Sequence, residues 1–175
     1  PHEALADVGA RLKGLARARM DHHPIHAPRQ KTCWSNRQAK DWVIAIGAST
    51  GGVQALNTLL AEMPSTCPPI VIVQHMPEGF TETFAGRLNN LCAIEVREAR
   101  QDDLLRPGLA LIAPGGNRHM VLRRNDQQEL MVQLVPGDPV SFSRPSIDVL
   151  FQSAASVAAP RVSACVLTGM GSDGA

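Results

Sequence analysis

The chain has no tyrosine, and only four phenylalanines and two tryptophans stand among its 175 residues. With aromatics at 3%, the stacking platforms that hold single-stranded nucleic acid are missing. The formal net charge is +1, too little to provide a general field for DNA or for a membrane surface. No nucleic-acid partner is therefore expected. No apolar run reaches membrane-spanning length and no signal peptide is visible, so no membrane insertion is expected either. Cysteine is scarce and scattered. Cys33, Cys67, Cys92 and Cys165 show no C-x-x-C spacing, which points to neither a zinc site nor a disulfide framework. Reduced, mostly buried thiols in a cytoplasmic protein are the economical reading, with no metal and no cofactor. An initiating methionine is also lacking, and the chain stops at Gly174-Ala175 inside a glycine motif; it reads as a fragment, truncated at its C-terminal end.

At 44% hydrophobic and 19% charged, the composition is that of an ordinary globular protein. The length suits one domain with a substantial core plus an extra segment. Charge locates that segment. Residues 1–41 carry eight Lys/Arg against four Asp/Glu, the remainder nine against twelve. From Glu3 to Met20, Leu5, Val8, Leu12, Leu15 and Ala16 recur at helical spacing, predicting a short amphipathic helix. Residues 21–41 lose all periodicity and hold Pro24, Pro28 and three histidines. His22, His23 and His26 have no carboxylate or cysteine shell around them, so a solvated linker is favoured over a metal cluster.

From Trp42 onward the pattern alternates. Val43–Ile46, Ile70–Gln74 and Val162–Leu167 read as buried strands, and Ile94–Ala99 alternates like a strand. Val53–Met63, Thr81–Leu91 and Ser146–Ala158 read as helices, with Ser146 a plausible N-cap. Three short strands at 109–113, 119–124 and 130–135 suggest an antiparallel meander. The expected fold is α/β: a doubly wound, mainly parallel sheet with helices on both faces, a Rossmann-like three-layer sandwich.

In such sheets the site lies beyond the carboxyl ends of the strands. The first strand runs into Gly47-Ala48-Ser49-Thr50-Gly51-Gly52, which fits the G-x-S-x-G nucleophile pattern. A tight strand-to-helix turn pushes the serine Oγ out of the sheet, and side chains on the flanking glycines would collide with the neighbouring backbone. The bland readings are a serine N-capping the helix, or a phosphate-binding loop. Two more strands end in His75 and, past a glycine turn, Asp173. Serine needs a base within hydrogen-bond reach, and a carboxylate must fix the imidazole tautomer. Each residue alone has an ordinary explanation as a loop or turn former. Their shared placement at one sheet edge makes a serine hydrolase a serious reading. The order Ser, His, Asp differs from that of α/β-hydrolases.

The rival is a nucleotide-binding α/β module, with Gly47–Gly52 cradling phosphate. Its spacing is neither G-x-G-x-x-G nor G-x-x-x-x-G-K-[ST], and Gln74-His75 stands where an acidic ribose partner should follow the second strand. A catalytically silent receptor-binding domain is a third possibility.

Trp42 to Ala175 resembles the catalytic domain of the chemotaxis protein-glutamate methylesterases, the CheB family. The resemblance rests on Ile46 to Gly52, on Val73-Gln74-His75-Met76-Pro77 with Phe80-Thr81 and Phe84-Ala85, and on Leu105 to Gly108 with Ile112 to Gly116. It continues through His119-Met120, Arg144 to Phe151 and Leu167 to Ala175. It implies Ser49 as nucleophile, His75 as general base and acid, and Asp173 as its orienter. The backbone N–H of Met170, then that of Thr50, are the implied oxyanion donors. The implied reaction is hydrolysis of γ-glutamyl methyl esters on the cytoplasmic helices of chemoreceptors, often with deamidation of receptor glutamine. By the same resemblance residues 1–41 are the end of a linker from a regulatory receiver domain, absent here, whose phosphorylation relieves blockage of the site. The family's domain runs further than Ala175, so an uncovered, aggregation-prone sheet edge is expected. Asp102-Asp103-Leu104 departs from the family's more frequent Gly-Asp turn. His119 is either a hairpin residue, which is favoured, or a substrate contact; Arg144 either meets receptor carboxylates or caps the Ser146 region.

Overall fold

A computed structural model describes residues 36–175. The expected helix at 3–20, His22, His23, His26 and Cys33 lie outside the described residues. Helix α1 (Asn36–Asp41) occupies the last part of the segment expected to be linker; Ala39 is fully buried, so packing supplies what the sequence pattern did not show. The chain continues through β1 (Val43–Ala48), α2 (Gly52–Ala61), β2 (Ile70–Gln74), α3 (Phe80–Leu91), β3 (Glu95–Glu98) and β4 (Leu109–Ile112). Then come β5 (Arg118–Arg124), β6 (Leu130–Pro136), α4 (Ile147–Ala158) and β7 (Val162–Val166).

Five strands form one sheet in the order β3-β4-β2-β1-β7, and every neighbouring pair is parallel. Among the described residues β5 and β6 are the one antiparallel strand pair, in a separate two-stranded sheet. Of the three strands expected in a meander, the first therefore belongs to the parallel sheet. The reason is burial: Leu109-Ala110-Leu111-Ile112 is buried at every position, the signature of a strand covered on both faces.

Side chains alternate between two cores because successive residues of a strand point to opposite faces. Ile46, Ile70, Ile72, Ala110 and Ile112 meet Leu56 and Leu60 of α2 and Phe84, Ala85 and Leu88 of α3. Val43, Ala45, Val71, Val73, Leu109 and Leu111 meet Ile147, Leu150 and Ala154 of α4 together with Met120, Leu122 and Val132 of the β5–β6 hairpin. Each helix contributes a stripe at three- and four-residue spacing. Leu91, at the end of α3, is exposed.

At the turn after β3, Asp102 itself adopts a left-handed backbone, with φ 65°. Asp103 accepts two hydrogen bonds from the Arg97 guanidinium and one from the Arg100 N–H. Among the described residues β7 pairs with β1 alone, and Ser163 to Val166 are exposed. Cys165 is consequently exposed, against the expectation of burial, whereas Cys67 is buried and Cys92 half-buried.

Candidate active site

The first strand goes to one side of the sheet through β2, and the last element, β7, lies on the other side of β1. That reversal opens a crevice at the carboxyl end of β1. Parallel register does the next step: Ala48 pairs with Gln74, so the residues that follow, Ser49 and His75, emerge side by side, joined by His75 N–H donating to Ala48 C=O at 3.0 Å. The other side of β1 continues its ladder into the loop after β7. Leu167 N–H donates to Gly47 C=O at 2.9 Å, and Ser49 N–H to Thr168 C=O at 2.7 Å. The loop then returns Asp173 to the same point.

The three side chains meet. His75 Nδ1 lies 3.2 Å from Ser49 Oγ, and His75 Nε2 lies 2.8 Å from Asp173 Oδ2. An ionised carboxylate only accepts, so Nε2 carries the proton and Nδ1 keeps its lone pair for the serine hydroxyl. The Asp173 side chain is 4% exposed and that of His75 22%, so the carboxylate is shielded from solvent and the imidazole only partly.

The carboxylate is bound by α4. Ser146 Oγ donates to Asp173 Oδ1 at 2.7 Å, Asp148 N–H to Oδ1 at 3.0 Å, and Ile147 N–H to Oδ2 at 2.8 Å. Burial by itself pushes the Asp173 pKa up. The hydrogen bonds from Asp148, Ile147, Ser146 and His75 outweigh it and hold the group below the ordinary carboxylate value. The helix N-terminus adds its partial positive charge. Ser146 has the expected N-cap geometry, accepting from Val149 N–H at 3.3 Å. Its bond to Asp173 was not legible in sequence, because it spans 27 residues.

The serine turn differs in one respect from a strained nucleophile elbow. The left-handed φ of 81° falls on Gly51, and Ser49 is not among the described residues with positive φ. The flanking glycines are needed for close approach: a Cβ on Gly47 would strike Ile147, one on Gly51 would meet Thr168, and one on Gly52 would strike Gln74. These obstacles are side chains rather than the neighbouring backbone. Gly169 is packed against Ser49, with its would-be Cβ 2.7 Å from Ser49 Cβ.

Buried Gln74 braces the two loops that carry Ser49 and His75. Its Nε2 donates to Ser49 C=O at 3.0 Å and to His75 C=O at 3.1 Å, while its Oε1 lies against Gly52. A polar residue closing the apolar run Ile70-Val71-Ile72-Val73 was the available signal for it. The same contacts weigh against a phosphate cradle. Gly52 N–H is spent on Ser49 C=O at 2.8 Å, and the amide of Gln74 fills the space at Gly52.

Of the two expected oxyanion donors, Met170 lines the cavity, which measures about 240 Å³ and holds Ser49, His75 and Gly169 to Gly171. Thr50 does not line it, though its carbonyl accepts from Thr168 Oγ1 at 3.1 Å. Neither of their N–H groups donates to an acceptor among the described residues. His119 is 3% exposed and fully used: Nδ1 accepts from Ser146 N–H at 3.1 Å, and Nε2 donates to Asp138 C=O at 2.9 Å. It is a hairpin residue that seats Ser146. Arg144 does not cap the Ser146 region. Its guanidinium ties Gly116 C=O at 3.1 Å to Gly137 C=O at 2.7 Å. Burial pushes the thiol pKa of Cys67 and Cys92 up from the ordinary value. Among the described residues no cluster of His, Cys, Asp and Glu could hold a metal ion, and no helix is long and apolar enough to cross a membrane.

Residues 44–175 match the family model described as CheB methylesterase. A protein-glutamate methylesterase/protein-glutamine glutaminase 2 of Cereibacter sphaeroides is 52% identical over 171 residues, covering 98% of this chain and 46% of that protein. A namesake from Dechloromonas aromatica is 56% identical over 135 residues, covering 77% of this chain and 37% of the relative. The chain thus spans less than half the length of these curated relatives. Among solved structures, the CheB methylesterase catalytic domain of Thermotoga maritima superposes with a TM-score of 0.73 at 36% identity, covering 76% of this chain and 70% of that one.

Proposed function

The chain belongs to the CheB methylesterase family, and from that premise we propose that residues 42–175 form a serine esterase acting on glutamate methyl esters of chemoreceptors. The observation that carries this reading is the single imidazole bridging Ser49 at 3.2 Å and Asp173 at 2.8 Å.

The chemistry follows from that bridge. As Ser49 Oγ attacks the ester carbonyl, His75 Nδ1 takes its proton, and the buried Asp173 carboxylate stabilises the imidazolium. Negative charge on the tetrahedral intermediate falls to the N–H of Met170, which lines the cavity; one such donor is worth about 3 kcal/mol. Collapse expels methanol, which receives the proton from His75. Water, deprotonated by the same nitrogen, then frees the glutamate carboxylate from Ser49. A glutamine side chain follows the same path with ammonia as leaving group, so one site serves both activities named for the relatives.

Chemoreceptor helices on the cytoplasmic side are then the substrate, which places the enzyme in the cytoplasm. Residues 1–41 are read as the connection to a regulatory receiver domain, by resemblance to the family. A fluorophosphonate should label Ser49 and lose that label in His75→Ala. Methanol release from methylated receptor should disappear in Ser49→Ala; release unchanged by that substitution removes the mechanism.

A further inference from the structure

The loop between β6 and α4 carries a feature that the triad does not use. Ser141 and Phe142 both have left-handed backbones, with φ 49° and 61°, a conformation that L residues other than Asn and Asp rarely adopt. Phe142 is fully exposed, at 104% of its reference area. Two consecutive unfavourable residues thus hold a large apolar side chain out in solvent. Backbone outliers of this kind cluster where structure serves function.

The loop is not loose. Val140 and Ser143 exchange two backbone hydrogen bonds, at 3.1 and 2.9 Å, closing the turn that presents Phe142. Ser141 Oγ donates to Asp148 Oδ2 at 3.2 Å. Asp148 also gives its N–H to Asp173 Oδ1 at 3.0 Å and accepts Gly174 N–H at 3.0 Å. The tip is therefore anchored to the helix end that positions the catalytic carboxylate. Ser141 and Ser143, on either side of Phe142, line the cavity that contains Ser49 and His75.

We propose that Phe142 is a specificity-determining residue that grips a protein substrate through aliphatic side chains lying beside the ester-bearing glutamate. The chemistry of the rim selects an apolar partner surface. Pro139 to Ser143 carry no charge, and Arg144 turns Nε and Nη1 to the carbonyls of Gly116 and Gly137. Met170, lining the same cavity, is a second large apolar side chain, 82% exposed. A small ester that fits inside the cavity does not reach Phe142, whereas a protein surface laid over the mouth does. The inference rests on the esterase reading of this site and adds the means by which it distinguishes protein-borne esters from free ones.

The test compares two substrates on the full chain: p-nitrophenyl acetate, and a chemoreceptor signalling domain carrying labelled glutamyl methyl esters. In Phe142→Ala, kcat/KM for the receptor should fall about 10- to 100-fold, mainly through KM, the loss expected for one buried aromatic contact. Turnover of p-nitrophenyl acetate should stay within about twofold of wild type, and Phe142→Leu should restore most receptor activity. Equal losses on the two substrates, or no loss on the receptor, overturn the proposal. Failure of the esterase reading has a separate signature, small-ester turnover that persists in Ser49→Ala.

Discussion

Replacing Asp173 by Asn tests the catalytic reading most sharply, because all four partners of the carboxylate are donors. Oδ1 accepts from Ser146 Oγ and Asp148 N–H; Oδ2 accepts from His75 Nε2 and Ile147 N–H. An amide has one accepting and one donating end. If its NH2 takes the Oδ1 position, it opposes Asp148 N–H, although the Ser146 hydroxyl can rotate to accept. If it takes the Oδ2 position, it opposes Ile147 N–H and can be relieved at His75 only by moving the imidazole proton to Nδ1. That tautomer presents an N–H to Ser49 and cannot accept its proton. One buried backbone donor is orphaned in either orientation, costing about 1–3 kcal/mol of stability. Where the proton moves, turnover should fall about 10⁴-fold, as for the same change in other Ser-His-Asp enzymes. The assays are steady-state ester hydrolysis at neutral pH, thermal unfolding, and ¹⁵N shifts of the His75 ring, which report the tautomer directly. Activity within about tenfold of wild type, with the ring proton moved to Nδ1, refutes the argument that Asp173 sets the tautomer of the base.

Three further outcomes follow from the same geometry. Gly169→Ala places a methyl 2.7 Å from Ser49 Cβ, too close for both to stay in place, so ester turnover should fall about 100-fold or more, as small misplacements of reacting groups do, while labelled-substrate binding changes little. In Gln74→Met the shape is kept but the donor is lost to the carbonyls of Ser49 and His75; unfolding free energy should drop by about 1–3 kcal/mol and kcat should fall with KM nearly unchanged. For acid stability the sign is set by the carboxylates. Burial raises the pKa of Asp103, but its bonds to Arg97 and Arg100 bring it below the ordinary value, as Asp173 is brought down by its own partners. Their contribution is complete above the unfolded value of about 3.9 and is lost as pH falls through the lower folded values. Denaturant midpoints should be level from neutral pH to about pH 5, then decline below about pH 4; midpoints that rise on acidification contradict it.

Most elements were legible because they rest on local chemistry. The buried run Ile70–Gln74 was read at the bounds it has, and Ser146 before Ile147 announced the start of α4. Leu109–Ile112 was assigned to the wrong sheet because a short apolar run says that it is buried without saying beside which strand. Helix α1 was read as linker because six residues are too few for periodicity to register.

The sequence by itself determined the alternation of buried strands and amphipathic helices, the serine between glycines, and which loops would gather at one end of the sheet. It could do so because strand periodicity, helix capping and turn chemistry depend on residues within a few positions of each other. Only the tertiary structure decided that His75 presents Nδ1 to the serine and Nε2 to the aspartate, that α4 supplies the donors holding Asp173 ionised, and that Arg144 and His119 brace the scaffold. Those outcomes join residues up to 98 positions apart. Their partners are chosen by register and packing across the whole sheet, which no local window of the chain contains.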